Sequence, residues 1–127
     1  MNVALCPFCN LPTEQILFKN SLVFAILDKF PASRGHLLII PFRHVASFWE
    51  LEEDEMVAAN AMLKRCKSFI DEKFTPQGYN VGVNIGKDAG QTVMHVHIHL
   101  LPRYEGDVED PVGGVRHTIP GKGNYLQ

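Results

Sequence analysis

The stretch His95-Val96-His97-Ile98-His99-Leu100-Leu101 decides how the rest of the chain is read. Histidine and apolar residues alternate strictly. The side-chain period of a β-strand is two, so the pattern predicts a strand over residues 95–101, ended by Pro102. Val96, Ile98 and Leu100 then share the face that packs. The three imidazoles project from the other face, and no other side chain has an unperturbed pKa so near neutrality.

Working outward, Tyr79 to Ile85 alternates in the same way. Tyr79, Val81, Val83 and Ile85 are expected to face a core, with Asn80, Gly82 and Asn84 on the opposite side. Gly86 to Gly90 is turn-like, so these two strands are expected to form a hairpin. From Leu51 to Phe74, apolar residues recur at Met56, Ala59, Leu63, Cys66, Ile70 and Phe74, which is helical spacing. Acidic residues 52–55 precede Lys64, Arg65 and Lys67, an order that complements the helix dipole, and Pro76-Gln77-Gly78 stops the helix. Two apolar runs, Leu22 to Leu27 and His36 to Ile40, read as strands, the second closed by Pro41. An antiparallel α+β domain follows from this order. Residues from Arg103 onward, rich in glycine, proline and charge, read as a partly ordered tail.

Composition narrows the function classes. The 127 residues suit one domain, and 46% hydrophobic residues suffice for a packed core. A formal net charge of −2 argues against a protein whose main partner is a nucleic acid polymer. No apolar run approaches the roughly 20 residues that span a bilayer. MNVALCPFCN has neither the basic flank nor the apolar stretch of a secretory signal, and three cysteines are an odd number. The expectation is a cytoplasmic protein with reduced thiols.

A single strand histidine is ordinarily structural, but three at strict alternation beside a Gly-rich turn point to chemistry. One metal ion does not explain all three. His95 and His99 lie roughly 13 Å apart on an extended strand at about 3.3 Å per residue, whereas zinc–nitrogen bonds are about 2.0–2.1 Å. The triad must divide its labour. A neutral imidazole is a good nucleophile towards phosphorus, and its phosphoramidate is labile enough for water to discharge it. Gly90-Gln91-Thr92 can supply backbone N–H groups, an amide and a hydroxyl to the phosphoryl oxygens.

These residues resemble the signature of the histidine triad (HIT) superfamily of nucleotidyl hydrolases and transferases. Leu27-Asp28-Lys29-Phe30-Pro31 and Gly35-His36-Leu37-Leu38-Ile39-Ile40-Pro41 resemble its nucleoside-binding strands and turn, and Asp88-Ala89-Gly90-Gln91-Thr92-Val93 its phosphate-binding approach. The resemblance covers roughly residues 5 to 105. Gln91-Thr92-Val93 and Leu101-Pro102-Arg103 look closer to the fragile-histidine-triad branch, which cleaves dinucleoside polyphosphates, than to the nucleoside-phosphoramidase branch. The resemblance implies an antiparallel sheet of about five strands under one long helix, in a HIT domain of residues 1–105 followed by a tail at 106–127. It implies that His97 is the nucleophile, that His99 contacts the α-phosphate and that His36 supports the site. Asp28 would contact the ribose hydroxyls, Ile26, Leu27 and Phe30 the base, Asn84 and Gln91 the sugar–phosphate side, and Thr92 the scissile phosphate. It also implies a homodimer. Alternatives within the superfamily are a phosphoramidase and a nucleotidyl transferase; outside it stand a nucleotide sensor without turnover and a zinc hydrolase using metal-bound water.

Cys6-Pro7-Phe8-Cys9 has the spacing with which two thiolates grip one tetrahedral zinc ion. It also resembles the CPxC motif of glutaredoxins, but a redox CxxC normally follows a buried strand, and five residues before Cys6 are too few for one. The zinc reading needs two more ligands, and His44 and His95 are the candidates. Several bacterial-type members of the superfamily resemble this arrangement, which implies a structural Zn2+ on Cys6, Cys9, His44 and His95. Cys66 falls on the apolar helix face as core. In the tail, Arg116 and Lys122 are open to two readings, as polyphosphate contacts or as solvated charges, and His117 is given no role.

Overall fold

A computed structural model describes residues 2–127. Five strands, β1 (Ile16–Lys19), β2 (Val23–Leu27), β3 (Leu37–Pro41), β4 (Gly78–Val83) and β5 (Ile98–Arg103), accompany one long helix, α1 (Glu53–Phe74). The strands form a single open sheet in the order β1-β2-β3-β5-β4, with every neighbouring pair antiparallel. The architecture is the expected α+β fold. Among the described residues no helix is long and apolar enough to cross a membrane.

Helix α1 lies on one face of the sheet. Ala59, Met62, Cys66 and Ile70 pack there against Val23, Ala25, Leu37, Ile39, Ile98 and Leu100. On the opposite face, Phe24, Ile26, Leu38 and Ile40 pack against Phe8, Leu11 and Ile16. Both faces of β2 and β3 are thus covered, which explains why these strands read as unbroken apolar runs rather than alternating ones. Burying an aliphatic side chain of this size stabilises the fold by about 1.5–3 kcal/mol, so both coverings contribute.

The helix start is fixed by charge. Glu52 and Glu55 form a reciprocal capping box, and the buried Glu55 carboxylate also accepts from Arg43 Nη2 at 2.7 Å and Nε at 3.3 Å. Arg43 follows β3, so this pair ties the end of that strand to the first turn of α1. At the other end, Gly35 packs under the last turn. It sits at φ +85°, where a Cβ would lie 2.9 Å from a ring carbon of Phe74.

Several local expectations change. Met62 fills the central core position and Leu63 only flanks it, while Met56 is 39% exposed. β1 lies in a stretch that carried no strand expectation, because a run of four residues is too short for clear alternation. β5 starts at Ile98, so His95 and His97 precede it, and Pro102 lies inside the strand rather than ending it. β4 and β5 do pair, but residues 84–97 join them, a long connection instead of a tight hairpin. β4 stops at Val83, and Val81 is 49% exposed on this edge strand.

The tail carries local structure. It holds a 3-10 turn at Gly114–Thr118 and a buried Gly123 that meets the His117 ring. Asp107 accepts from Arg103 at 2.7 and 2.8 Å, and Arg103 also donates to Asn80 at 2.6 Å. This fastens the start of the tail to β4 and β5.

Candidate active site

A cavity of about 610 Å³ opens on the sheet face opposite α1. Its floor comes from Ile26 and Leu38, and Leu27, Asp28 and Phe30 line it at the end of β2. His97 and His99 stand on another side, with Asn84, Gly90, Thr92 and Val93 from the connection before β5. The structure therefore gathers nearly all the residues expected to meet substrate.

The protonation of the histidines follows from their partners. His97 Nδ1 lies 2.8 Å from the His95 carbonyl oxygen. A carbonyl only accepts, so Nδ1 carries the proton, and the neutral ring keeps a lone pair on Nε2. A second chain starts at the backbone N–H of Ala32, which donates to His36 Nδ1 at 3.0 Å. The His36 proton is then on Nε2, 2.9 Å from His99 Nδ1 and 3.3 Å from Asp28 Oδ2. His99 Nδ1 accepts, which leaves its proton on Nε2. That nitrogen is the buried side-chain polar atom without a partner among the described residues. Leaving such a donor unpaired costs about 1–3 kcal/mol, and an acceptor supplied by a ligand relieves this cost.

Burial disfavours the charged forms of His99 and His36. It pushes the His99 pKa down to about 4, with the neighbouring His97 and His36 adding to the effect and Asp28 opposing it. Burial also lowers His36, against the pull of Asp28. Asp28 meanwhile accepts from the Phe30 N–H at 2.9 Å, which shapes the turn after β2.

His95 belongs to a different cluster. It is fully buried, and its Nε2–H donates to the Pro41 carbonyl oxygen at 2.8 Å, which leaves Nδ1 as a lone pair. This Nδ1 lies 3.4 Å from Cys6 Sγ, 3.5 Å from Cys9 Sγ and 3.2 Å from His44 Nδ1, while His44 Nδ1 lies 3.2 Å from Cys9 Sγ. The four ligand atoms all fall within 4.8 Å of one another. Bonds of about 2.0–2.3 Å to a tetrahedral ion require ligand–ligand edges of about 3.3–3.8 Å. Donor set and spacing both fit a single metal ion.

Residues 12–106 match the family model described as HIT domain. The chain belongs to the HIT domain family. It is 37% identical over 109 residues to an uncharacterized HIT-like protein of Methanocaldococcus jannaschii, covering 83% of this chain and 84% of that one. It is 36% identical over 97 residues to a bis(5'-adenosyl)-triphosphatase of Dictyostelium discoideum, covering 76% and 65%. Among solved structures, a Zn-bound histidine triad family protein of Mycobacterium smegmatis superposes with a TM-score of 0.75 at 30% identity, covering 86% and 82%.

In this HIT domain some expected residues stand outside the cavity. The buried Gln91 side chain accepts from the Gly86 N–H at 2.9 Å and donates to the carbonyls of Ala46 at 2.8 Å and Val93 at 3.0 Å. Its amide pegs the connection that carries Thr92 and does not line the cavity. Arg116 donates from Nε to the Lys122 and Gly123 carbonyls and lies over Tyr125; neither Arg116 nor Lys122 lines the cavity. His117 donates to the Val112 carbonyl oxygen at 2.9 Å within the tail.

Other lining residues carried no expectation. Pro7, Phe8, Asn10 and Leu11 close the cavity from the N-terminal side. The signal was the cysteine pair itself: once Cys6 and Cys9 meet His95, the two residues between them must lie close to His97.

Proposed function

We propose that this HIT domain hydrolyses a nucleotide at its α-phosphate through a nucleotidyl-histidine intermediate on His97, with dinucleoside polyphosphates as the leading substrate class. Family membership and the relative named bis(5'-adenosyl)-triphosphatase support a nucleotide hydrolase or transferase. One observation carries the reading: an Nε2 lone pair on His97 and an unpartnered Nε2–H on His99 flank the same cavity.

The His97 Nε2 lone pair attacks the α-phosphorus, and the bond to the leaving phosphate oxygen breaks. The ring becomes cationic as its P–N bond forms, and the His95 carbonyl, already accepting from Nδ1–H, stabilises that charge. His99 donates from Nε2 to the phosphoryl group, and Thr92 lies on the phosphate side. Water then breaks the P–N bond, releases the nucleoside monophosphate and restores the lone pair. Asp28, acceptor-only, takes the ribose hydroxyls, while Ile26, Leu27 and Phe30 meet the base.

Cys6, Cys9, His44 and His95 would hold one zinc ion, which with four protein ligands has no open position for water and serves structure rather than hydrolysis. A homodimer belongs to this reading, supported by the unpaired β4 edge and the exposed Val81, and so does a cytoplasmic setting where thiols stay reduced.

Incubation with an α-labelled dinucleoside polyphosphate tests the mechanism. Wild-type protein should carry label after rapid quenching, and His97→Ala should carry none and lose activity by a factor on the order of 10⁴ or more. Equal labelling of both proteins refutes the nucleotidyl-histidine step.

A further inference from the structure

We infer that Phe8 couples occupancy of the cysteine–histidine metal centre to nucleotide binding, acting as a positioning residue for His97. This rests on the nucleotide and zinc reading above and adds a linkage between the two sites.

Phe8 sits between the two cysteine ligands, and its ring faces both histidine clusters. The ring centroid is 5.0 Å from that of His97 and 5.9 Å from that of His95, the latter edge-on. It also lines the cavity and packs on the apolar group of Phe24, Ile26, Leu38 and Ile40, of which Ile26 and Leu38 form the cavity floor. One side chain therefore touches the nucleophile, a metal ligand and the wall that meets substrate.

The way the N-terminal segment is held makes this contact dependent on the metal. Asn10 donates to the carbonyls of Cys6 at 2.8 Å and Val3 at 2.9 Å, so the segment is braced internally. Among the described residues, its hydrogen bonds to the sheet side of the molecule are those of the two thiols to His44 and His95. No strand pairs with it. With an ion bound to these four groups, the segment is clamped and Phe8 is fixed against His97. Without the ion, among the described residues, the weaker thiol–imidazole hydrogen bonds and apolar packing hold that cavity wall. A ligand that needs the wall then favours the metal-loaded state, and by linkage the metal favours the ligand-bound state by the same factor.

The experiment measures both arms. The AMP affinity of zinc-loaded protein is determined by calorimetry. Zinc affinity is determined by equilibrium competition with a chromophoric chelator, with and without saturating AMP. In wild type, AMP should tighten zinc about tenfold. Phe8→Ala should still bind one zinc ion, yet AMP should no longer change its affinity; Phe8→Tyr, which keeps the ring, should restore the effect. In the zinc-loaded proteins, the His97 ring resonances should shift in Phe8→Ala and return in Phe8→Tyr, which general loosening of the fold would not produce. AMP binding with no effect on zinc affinity, or an equal effect in wild type and Phe8→Ala, overturns the coupling alone. Failure of wild-type protein to bind AMP overturns the nucleotide reading and the coupling with it.

Discussion

Two histidine clusters lie on the same side of the sheet, and both bring three or more ligand-type groups within 4.8 Å. Their hydrogen-bond logic differs. Around Asp28, His36 and His99, donors and acceptors alternate: the Ala32 N–H feeds His36, and His36 feeds His99. That chain is complete without an ion, and its only loose end is a proton on His99 Nε2. Around Cys6, Cys9, His44 and His95, sulfur and nitrogen atoms converge on one point, and the His95 proton is directed away to Pro41. Convergent lone pairs suit a cation, whereas an alternating chain sets tautomers. Proximity of histidines alone does not distinguish a metal centre from a proton relay; the position of each proton does.

The comparison can be broken at either cluster. The largest expected effect is on stability at the convergent one. Cys6→Ser should abolish stoichiometric zinc binding, measured by metal analysis of purified protein, and lower the Tm by about 10 °C in thermal melts. Retention of one tightly bound zinc ion by this variant would remove Cys6 from the ligand set. At the alternating cluster, His36→Ala frees His99 to adopt either tautomer. Catalytic turnover should fall by about 10–100-fold, with zinc content unchanged, and a matching loss of zinc would mean that the clusters are not separable.

The smallest effect is a pH dependence. His36 and His99 have folded pKa values below the unfolded value, His99 at about 4. As pH falls below about 6.5 the unfolded chain takes up protons that the folded rings refuse, so stability declines. For His99 the decline continues to its folded pKa near 4, where both states are protonated. Urea titrations between pH 7.5 and 4.5 should show the midpoint falling with pH, less steeply in His36→Ala. A midpoint independent of pH over this range would contradict burial of these rings as neutral imidazoles.

The sequence was informative where periodicity and chemistry agreed. Helix α1 was legible from its spacing, yet the choice between Met62 and Leu63 depends on how the helix rolls against β2 and β3, a tertiary matter that spacing fixes only to within one residue. The strands β2 and β3 were legible because both their faces are buried. The alternation at His95–His99 pointed to the site but overstated the strand. His95 is drawn to the thiols instead of following the sheet, so the ladder begins only at Ile98. Gln91 was recognisable as polar beside a phosphate-binding loop, but nothing local shows that its amide is fully engaged by Gly86, Ala46 and Val93. Such internal pegs depend on contacts some 45 positions away. Phe8 was hidden for the same reason: its neighbours are fixed by the metal ligands around it, not by its own periodicity.

Gly35 gives the proton chain an unexpected dependence on shape. It immediately precedes His36, and a Cβ there would meet the Phe74 ring at 2.9 Å. Any larger residue must push aside either the end of α1 or the backbone that carries His36. Tolerance to substitution at position 35 is therefore gauged by the aromatic ring at the far end of the helix, and its consequence falls on a proton chain in which Gly35 takes no part.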